Sequence, residues 1–154
     1  MIEVNNNVRI YDLNNHLEHI PLLAKWHHQQ FKNSGADREV LILARTGEND
    51  IPKTFIARLG EMPIGFVCLI ENNATSMPEL TPWLASLYVQ PEHRSKGVGQ
   101  ALIERCITHT SEAGFSKLHL YTSSAVDFYK KLGWQQLGNF SIMGKTEIIL
   151  AKSC

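Results

Sequence analysis

The stretch Leu87-Tyr88-Val89-Gln90-Pro91-Glu92-His93-Arg94-Ser95-Lys96-Gly97-Val98-Gly99-Gln100-Ala101-Leu102 decides how this chain reads. It opens on the end of an apolar run, Trp83 to Val89 (WLASLYV), with the composition of a strand. Pro91 stops that strand because proline cannot donate to a ladder. The stretch closes on a helix from Gly97 to Glu112, in which Val98, Leu102, Ile103, Cys106 and Ile107 share one face and Gly114 is placed to end it. Between strand and helix, Gly97 and Gly99 let backbone come close to a ligand, while the first helical turn leaves about four N–H groups unpartnered. Those donors, with the helix dipole and the charges of Arg94 and Lys96, suit a phosphate or pyrophosphate. Two glycine motifs are excluded. A P-loop needs Gly-Lys-Ser/Thr where Gly99 is followed by Gln100-Ala101. A dinucleotide fingerprint needs a third glycine where Leu102 stands.

Outward from this stretch, the rest of the chain falls into short regular elements. Val8 to Tyr11 reads as a first strand, and Leu17, Ile20, Leu23, Trp26 or His27, and Phe31 recur at helical spacing over His16 to Phe31, with Asn14 or Asn15 as a cap. A second helix is predicted over Arg38 to Arg45, followed by the loop Thr46-Gly47-Glu48-Asn49-Asp50. Lys53 to Leu59 and Pro63 to Glu71 read as a hairpin turning at Gly60-Glu61-Met62, and Asn72 to Pro82 as a loop. After the glycine turn and its helix come a strand at Leu118 to Tyr121 and a helix from Ser123 to Leu132 stopped by Gly133. Strands at Trp134 to Leu137 and Ile142 to Leu150 close the chain. The order βααβββαβαββ predicts an α/β fold, a mixed central sheet of about six or seven strands flanked by about four helices. No repeat or linker divides it, so residues 1–154 are read as one domain.

Composition excludes several classes. The chain has 154 residues, 44% hydrophobic and 19% charged, which is not the balance of a disordered, collagen-like or fibrous protein. Its longest apolar run, Phe66 to Ile70, falls far short of the roughly 18 residues that span a bilayer. Met1-Ile2-Glu3-Val4-Asn5 lacks the basic flank and apolar run of a secretory signal, so a soluble, cytoplasmic protein without membrane partners is expected. Residues 1–77 carry 7 basic and 9 acidic side chains and residues 78–154 carry 8 and 6, too even a balance for a nucleic-acid footprint. Cys68, Cys106 and Cys154 are odd in number, with no CxxC pair, and read as reduced thiols. His16 and His19 have no third ligand in register, so no metal site is expected.

With those residues in hand, the sequence resembles the GNAT superfamily of N-acetyltransferases. Leu87-Tyr88-Val89 followed by Arg94-Ser95-Lys96-Gly97-Val98-Gly99 is similar to its acyl-coenzyme A motif. Ala125-Val126-Asp127-Phe128-Tyr129-Lys130-Lys131-Leu132-Gly133-Trp134 is similar to its second motif, and the order of elements agrees from Val8 to about Leu150. The resemblance implies a V-shaped cleft in which the pantetheine arm of acetyl-coenzyme A pairs with strand backbone like an added strand. It implies cofactor contacts from Leu87, Tyr88 and Val89, and from Arg94, Ser95, Lys96, Gly97, Val98, Gly99 and Gln100 around the pyrophosphate. Ser123 and Ser124 stand on the neighbouring segment, where Thr122-Ser123-Ser124 replaces an asparagine common in the family.

Moving an acetyl group to an amine sets three demands: a neutral amine, a stabilised oxyanion and a proton for the departing thiolate. Deprotonating an alkyl amine of pKa ~10.4 at pH 7 costs about 4.6 kcal/mol, so a base is expected. Tyr129 occupies the position at which the family carries its general acid, and a phenol stays protonated at neutral pH. For the base, Glu79 lies in the loop entering the cleft strand, and His119 lies on the neighbouring strand, where some family members carry a glutamate. Trp83 and Trp26, the latter beside His27 and His28, are candidates for lining the acceptor end. The expected reaction is direct transfer of acetyl from acetyl-coenzyme A to a small-molecule primary amine, conceivably aminoglycoside-like, a polyamine or an amino acid. The alternatives are a protein N-terminus or lysine as acceptor, or a non-catalytic acyl-coenzyme A sensor. An acetyltransferase of aminoacyl-tRNA is disfavoured by the even charge. The C-terminal hairpin, Trp134 to Leu150, offers a surface for a homodimer.

Overall fold

The computed structural model describes residues 7–32, 35–74 and 76–154; Met1 to Asn5, read above for a leader, lie outside them. Its strands are β1 (Val8–Asp12), β2 (Lys53–Leu59), β3 (Met62–Ile70), β4 (Trp83–Val89), β5 (Lys117–Thr122), β6 (Gln135–Ile142) and β7 (Lys145–Ser153). Its helices are α1 (Ile20–Gln30), α2 (Arg38–Ala44), α3 (Val98–Glu112) and α4 (Val126–Lys131). All seven strands form one sheet in the order β1-β2-β3-β4-β5-β7-β6. Every pairing is antiparallel except β4 with β5, which the α3 crossover makes parallel. This is the mixed sheet with four helices that the residue pattern predicts.

Two buried clusters lie on opposite faces of the sheet. One gathers Leu84, Leu118, Leu120 and Leu150 under Val98, Leu102, Ile103 and Cys106 of α3, together with Tyr129 of α4. The other gathers Phe66, Cys68, Trp83, Tyr88 and Ile149 under Leu23 and Trp26 of α1 and Ile42 of α2. Side chains alternate along a strand, so each central strand feeds both cores and the sheet separates a face of α3 and α4 from a face of α1 and α2.

The structure moves several predicted boundaries. The helix predicted from His16 begins only at Ile20, after two single 3-10 turns at Leu13–Asn15 and Leu17–His19. Pro21, which has no N–H, sits in the first helical turn, where that donor would be unused anyway. Asp12, not Asn14 or Asn15, caps locally: its Oδ1 accepts from Asn14 N at 2.8 Å. The helix predicted from Ser123 begins at Val126, because Thr122 Oγ1 holds the preceding turn by accepting from Ser124 N at 3.3 Å and Ala125 N at 3.1 Å. The C-terminal hairpin is longer than predicted and turns at Met143-Gly144, with φ of 53° and 75°, the pair of positive values a tight hairpin turn requires. Among the described residues no helix is long and apolar enough to cross a membrane.

Candidate active site

The sheet opens along one seam. β4 and β5 pair at Trp83 and His119 and nowhere further along, with His119 N donating to Pro82 O at 3.0 Å. β5 meanwhile keeps its ladder with β7 from Lys117 to Thr122. The cause lies in β4. Between the pairs Phe66–Tyr88 and Cys68–Ala85, β4 spends two residues where β3 spends one, and Ser86 takes a left-handed φ of 58°. Such a bulge bends its strand and sharpens the twist. Across the bulge, a Cβ on Gly65 would stand 2.7 Å from the Tyr88 carbonyl oxygen, so only glycine lets β3 approach there. The β4 edge beyond Ala85 is left with backbone groups facing the gap rather than a strand.

At the open end of the seam stands the N-terminus of α3. Gly97 begins the helix at φ 85° with no side-chain cap, so the first-turn amides of Val98, Gly99 and Gln100 have no helical acceptor. Ser95 precedes it at φ 61°. Ser95 and Lys96 are exposed, and Lys96 Nζ donates to Glu92 O at 3.2 Å. Arg94 folds back over β4: its Nε donates to Val89 O at 2.7 Å and its guanidinium lies 5.6 Å from the Tyr88 ring centre. Leu87 and Val89 are half-buried against the α3 core, whereas the Tyr88 side chain is packed on the other face with Trp26 and Phe66, leaving only its backbone for the seam. Ser123 and Ser124 are exposed at the end of β5. The segment thus combines an uncapped fifteen-residue helix start, a left-handed entry and two flanking cations, each held to a backbone carbonyl.

Tyr129 and His119 lie on opposite faces of the sheet, Tyr129 with the α3-side core. Tyr129, in α4, is 7% exposed and packs edge-on against Phe128 and Trp134. Burial, with a lesser contribution from the nearby Cys106, pushes its phenol up to about 12. His119 is 5% exposed and faces Trp83. Its Nδ1 lies 3.1 Å from Pro82 O, and a carbonyl only accepts, so Nδ1 carries the proton and Nε2 the lone pair. Burial holds this imidazole below its ordinary value, partly offset by the Pro82 bond, so it is neutral at pH 7. The fully enclosed side-chain polar atoms without partners belong to His27, Arg38, Thr110 and Trp134. Neither the Tyr129 hydroxyl nor His119 Nε2 is among them, and neither has a hydrogen-bond partner among the described residues. Two buried side chains therefore each present one free polar atom to solvent.

Glu79, Trp26 and Trp83 are placed as follows. Glu79 is exposed in the turn before β4. Trp26 and Trp83 are 3% and 0% exposed, the first stacked among aromatic rings and the second donating through Nε1 to Leu80 O, so both stand in the core as packing residues. Sequence reasoning missed a polar cluster at the bulge. His27 Nε2 lies 3.1 Å from Ser86 Oγ, and Arg45 Nη1 donates to the same oxygen at 3.1 Å. His27 is driven down to about 4 by burial and by the positive charges of Arg45 and Arg38. No spacing links residues 27, 45 and 86; the one available signal was a serine interrupting the apolar run of β4.

The chain is thus one mixed sheet opened along the β4–β5 seam, with the α3 N-terminus at its open end. Over residues 18–134 the chain matches the acetyltransferase (GNAT) family, and it belongs to that family. It is 29% identical over 114 residues to N-acetyltransferase 8B of Homo sapiens, covering 66% of this chain and 50% of the human protein. It is 36% identical over 59 residues to thialysine N-epsilon-acetyltransferase of Bos taurus, covering 36% of this chain and 35% of the bovine one. The chain thus spans about half the length, or less, of these relatives. An aminoglycoside 6'-N-acetyltransferase solved with coenzyme A superposes with a TM-score of 0.76 over 95% of this chain and 96% of its own, at 16% identity.

Proposed function

We propose that the chain transfers an acetyl group from acetyl-coenzyme A to a primary amine of a small molecule, directly within a ternary complex. The observation that carries this reading is the seam itself: a β4 edge with no strand partner beyond Ala85, an uncapped helix N-terminus at its open end, and Tyr129 and His119 on opposite faces of the sheet, each with a polar atom that no described residue occupies. Backbone groups of Leu87 and Val89 pair with the pantetheine arm, and a β4 N–H donates to the thioester carbonyl oxygen, where negative charge develops. Val98, Gly99 and Gln100 amides, with Arg94, Ser95 and Lys96, hold the pyrophosphate. When bound, the donor supplies an activated acetyl group; the chain supplies position and proton transfer.

His119 Nε2 takes a proton from the amine nitrogen as that nitrogen bonds to the carbonyl carbon and the carbon–sulfur bond breaks. The Tyr129 hydroxyl gives its proton to the departing thiolate. Assignment of the base to His119 rather than Glu79 rests on its free Nε2 at the closed end of the seam, against a Glu79 carboxylate in an outer turn. A protonated phenol and a neutral imidazole at pH 7 are the states this division of labour needs. The test is calorimetry with coenzyme A, followed by thiol release from acetyl-coenzyme A across a panel of amines. Binding together with amine-dependent release is the expected result. Binding without release on any amine would leave an acyl-coenzyme A sensor instead.

A further inference from the structure

The face of the sheet opposite Tyr129 carries a cation that no described residue pairs with. Arg45 follows α2 directly, half-buried, and its Nη1 donates to Ser86 Oγ at 3.1 Å. The ion pairs among the described residues involve His16, His19, Lys53 and Arg105, not Arg45. A guanidinium has five N–H donors in a planar fork, and here its side chain uses one, on a neutral hydroxyl. The geometry of that hydroxyl is imposed. Ser86 sits on the β4 bulge at φ 58°, and His27 Nε2 holds its Oγ from the α1 side. His27 adds no competing charge, because burial and the two arginines keep it neutral at pH 7.

Across the gap stand Tyr121 and Glu147. Tyr121 projects from β5 on the same face as His119, two residues away, and meets Phe140 edge-on at 5.1 Å. Its hydroxyl is within electrical reach of both Glu147 and Arg45, which act on it in opposite senses. Glu147 also forms no ion pair among the described residues. One cation held against β4 from the end of α2 and one anion on β7, neither in an ion pair among the described residues, therefore stand on this face of the sheet. A polycation would meet repulsion from Arg45, while an amine bearing its own anion would be matched at both ends.

Resting on the acetyltransferase reading above, we infer that the acceptor is an amine carrying a carboxylate, an amino acid or a short peptide acid, whose carboxylate seats on the free fork of Arg45 and whose amino group lies toward Glu147 and His119. Arg45 is then a specificity-determining residue, and Ser86 and His27 position its guanidinium.

The experiment compares matched amines, an amino acid against its decarboxylated counterpart, with wild type, Arg45→Gln and Arg45→Lys. Wild type is expected to favour the carboxylated amine by about tenfold or more in kcat/KM, as a charge-assisted fork predicts. Arg45→Gln should bring that ratio to within about threefold of one, and Arg45→Lys should keep part of it. The KM for acetyl-coenzyme A reports on folding, since the Arg45 carbonyl that accepts from Thr54 Oγ1 survives either change. A second arm titrates an unreactive carboxylate, propionate, into the coenzyme A complex. Transfer with no carboxylate preference, or a preference unmoved by Arg45→Gln, overturns the inference and leaves the acetyltransferase intact. Arg45-dependent binding of propionate with no transfer to any amine supports the anion site and removes the enzyme instead.

Discussion

Trp83 and His119 form the single pairing between β4 and β5, and beyond it the β4 edge faces no strand. A fully laddered parallel pair would have consumed the amides that a ligand strand needs. Coenzyme A is accordingly expected to slow hydrogen exchange within Leu87 to Val89, with little change in β2 or β7, whose ladders are already complete. Exchange mass spectrometry showing no protection in β4 at saturating coenzyme A would remove the added-strand mode of binding.

Tyr129→Phe deletes one oxygen from a ring that stays packed between Phe128 and Trp134, so the fold should be retained. The expected loss is about 10²-fold in kcat for thiol release, with the KM for acetyl-coenzyme A within a few-fold of wild type. A variant as fast as wild type would mean the thiolate draws its proton from water.

If His119 is the base, it sets the acid limb of the pH profile. Burial holds its imidazole below the ordinary histidine value, so transfer should hold steady near pH 7 and fall only as the solution becomes clearly acidic. His119→Gln should lower kcat by about 10²-fold and abolish that limb. A limb that persists in the variant would belong to another group, and Glu79→Gln is the next one to measure.

Much of the fold was legible because periodicity reports burial. Val98, Leu102 and Cys106 mark one helical face, and the run Trp83 to Val89 marks a central strand, and both predictions hold within a residue. The glycine turn was legible for a similar reason: Gly97 stands at φ 85°, which few other residues adopt. Start points failed where side-chain hydrogen bonds or a proline overrode the apolar period, as at Pro21 and Thr122. The polar cluster at the bulge was legible only in part, through His27 on the first helix. His27, Arg45 and Ser86 meet only because a one-residue bulge turns Ser86 toward α1, and long-range contacts of that kind leave no spacing to read. Trp26 and Trp83 are both buried, as large apolar area favours, and a sequence alone does not tell a cleft-lining tryptophan from a core one.

Lys53 is a cation with 6% of its side chain exposed, held by Asp12 Oδ2 at 2.9 Å and by Gly47 O at 2.8 Å. Asp12 also caps the turn at Asn14. Asp12→Ala removes both and leaves the ammonium with one carbonyl, for an expected cost of about 2–4 kcal/mol. Asp12→Asn, which keeps an acceptor, should cost less. A urea midpoint for Asp12→Ala equal to wild type would show that Lys53 finds water instead.

His27 sets an acid limit on the folded state, and the sign follows from where its proton is bound. Unfolded, the imidazole titrates near 6.5; folded, burial together with Arg45 and Arg38 holds it down to about 4. Above pH 6.5 both states are neutral and His27 is indifferent to pH. Between pH 6.5 and about 4 the unfolded chain binds a proton that the folded chain refuses, so stability falls as pH falls. The loss attributable to this residue should reach about 2–3 kcal/mol at pH 4, the lower part of what a shift of this size implies. The measurement is denaturant unfolding at pH 7, 5.5 and 4 for wild type and His27→Gln. The variant lacks the titrating ring but keeps an amide for Ser86 Oγ, so it should begin less stable at pH 7 and lose less on acidification. Parallel curves for the two proteins would show that the ring is not held neutral at all, and that Arg38 and Arg45 lie too far from it to matter.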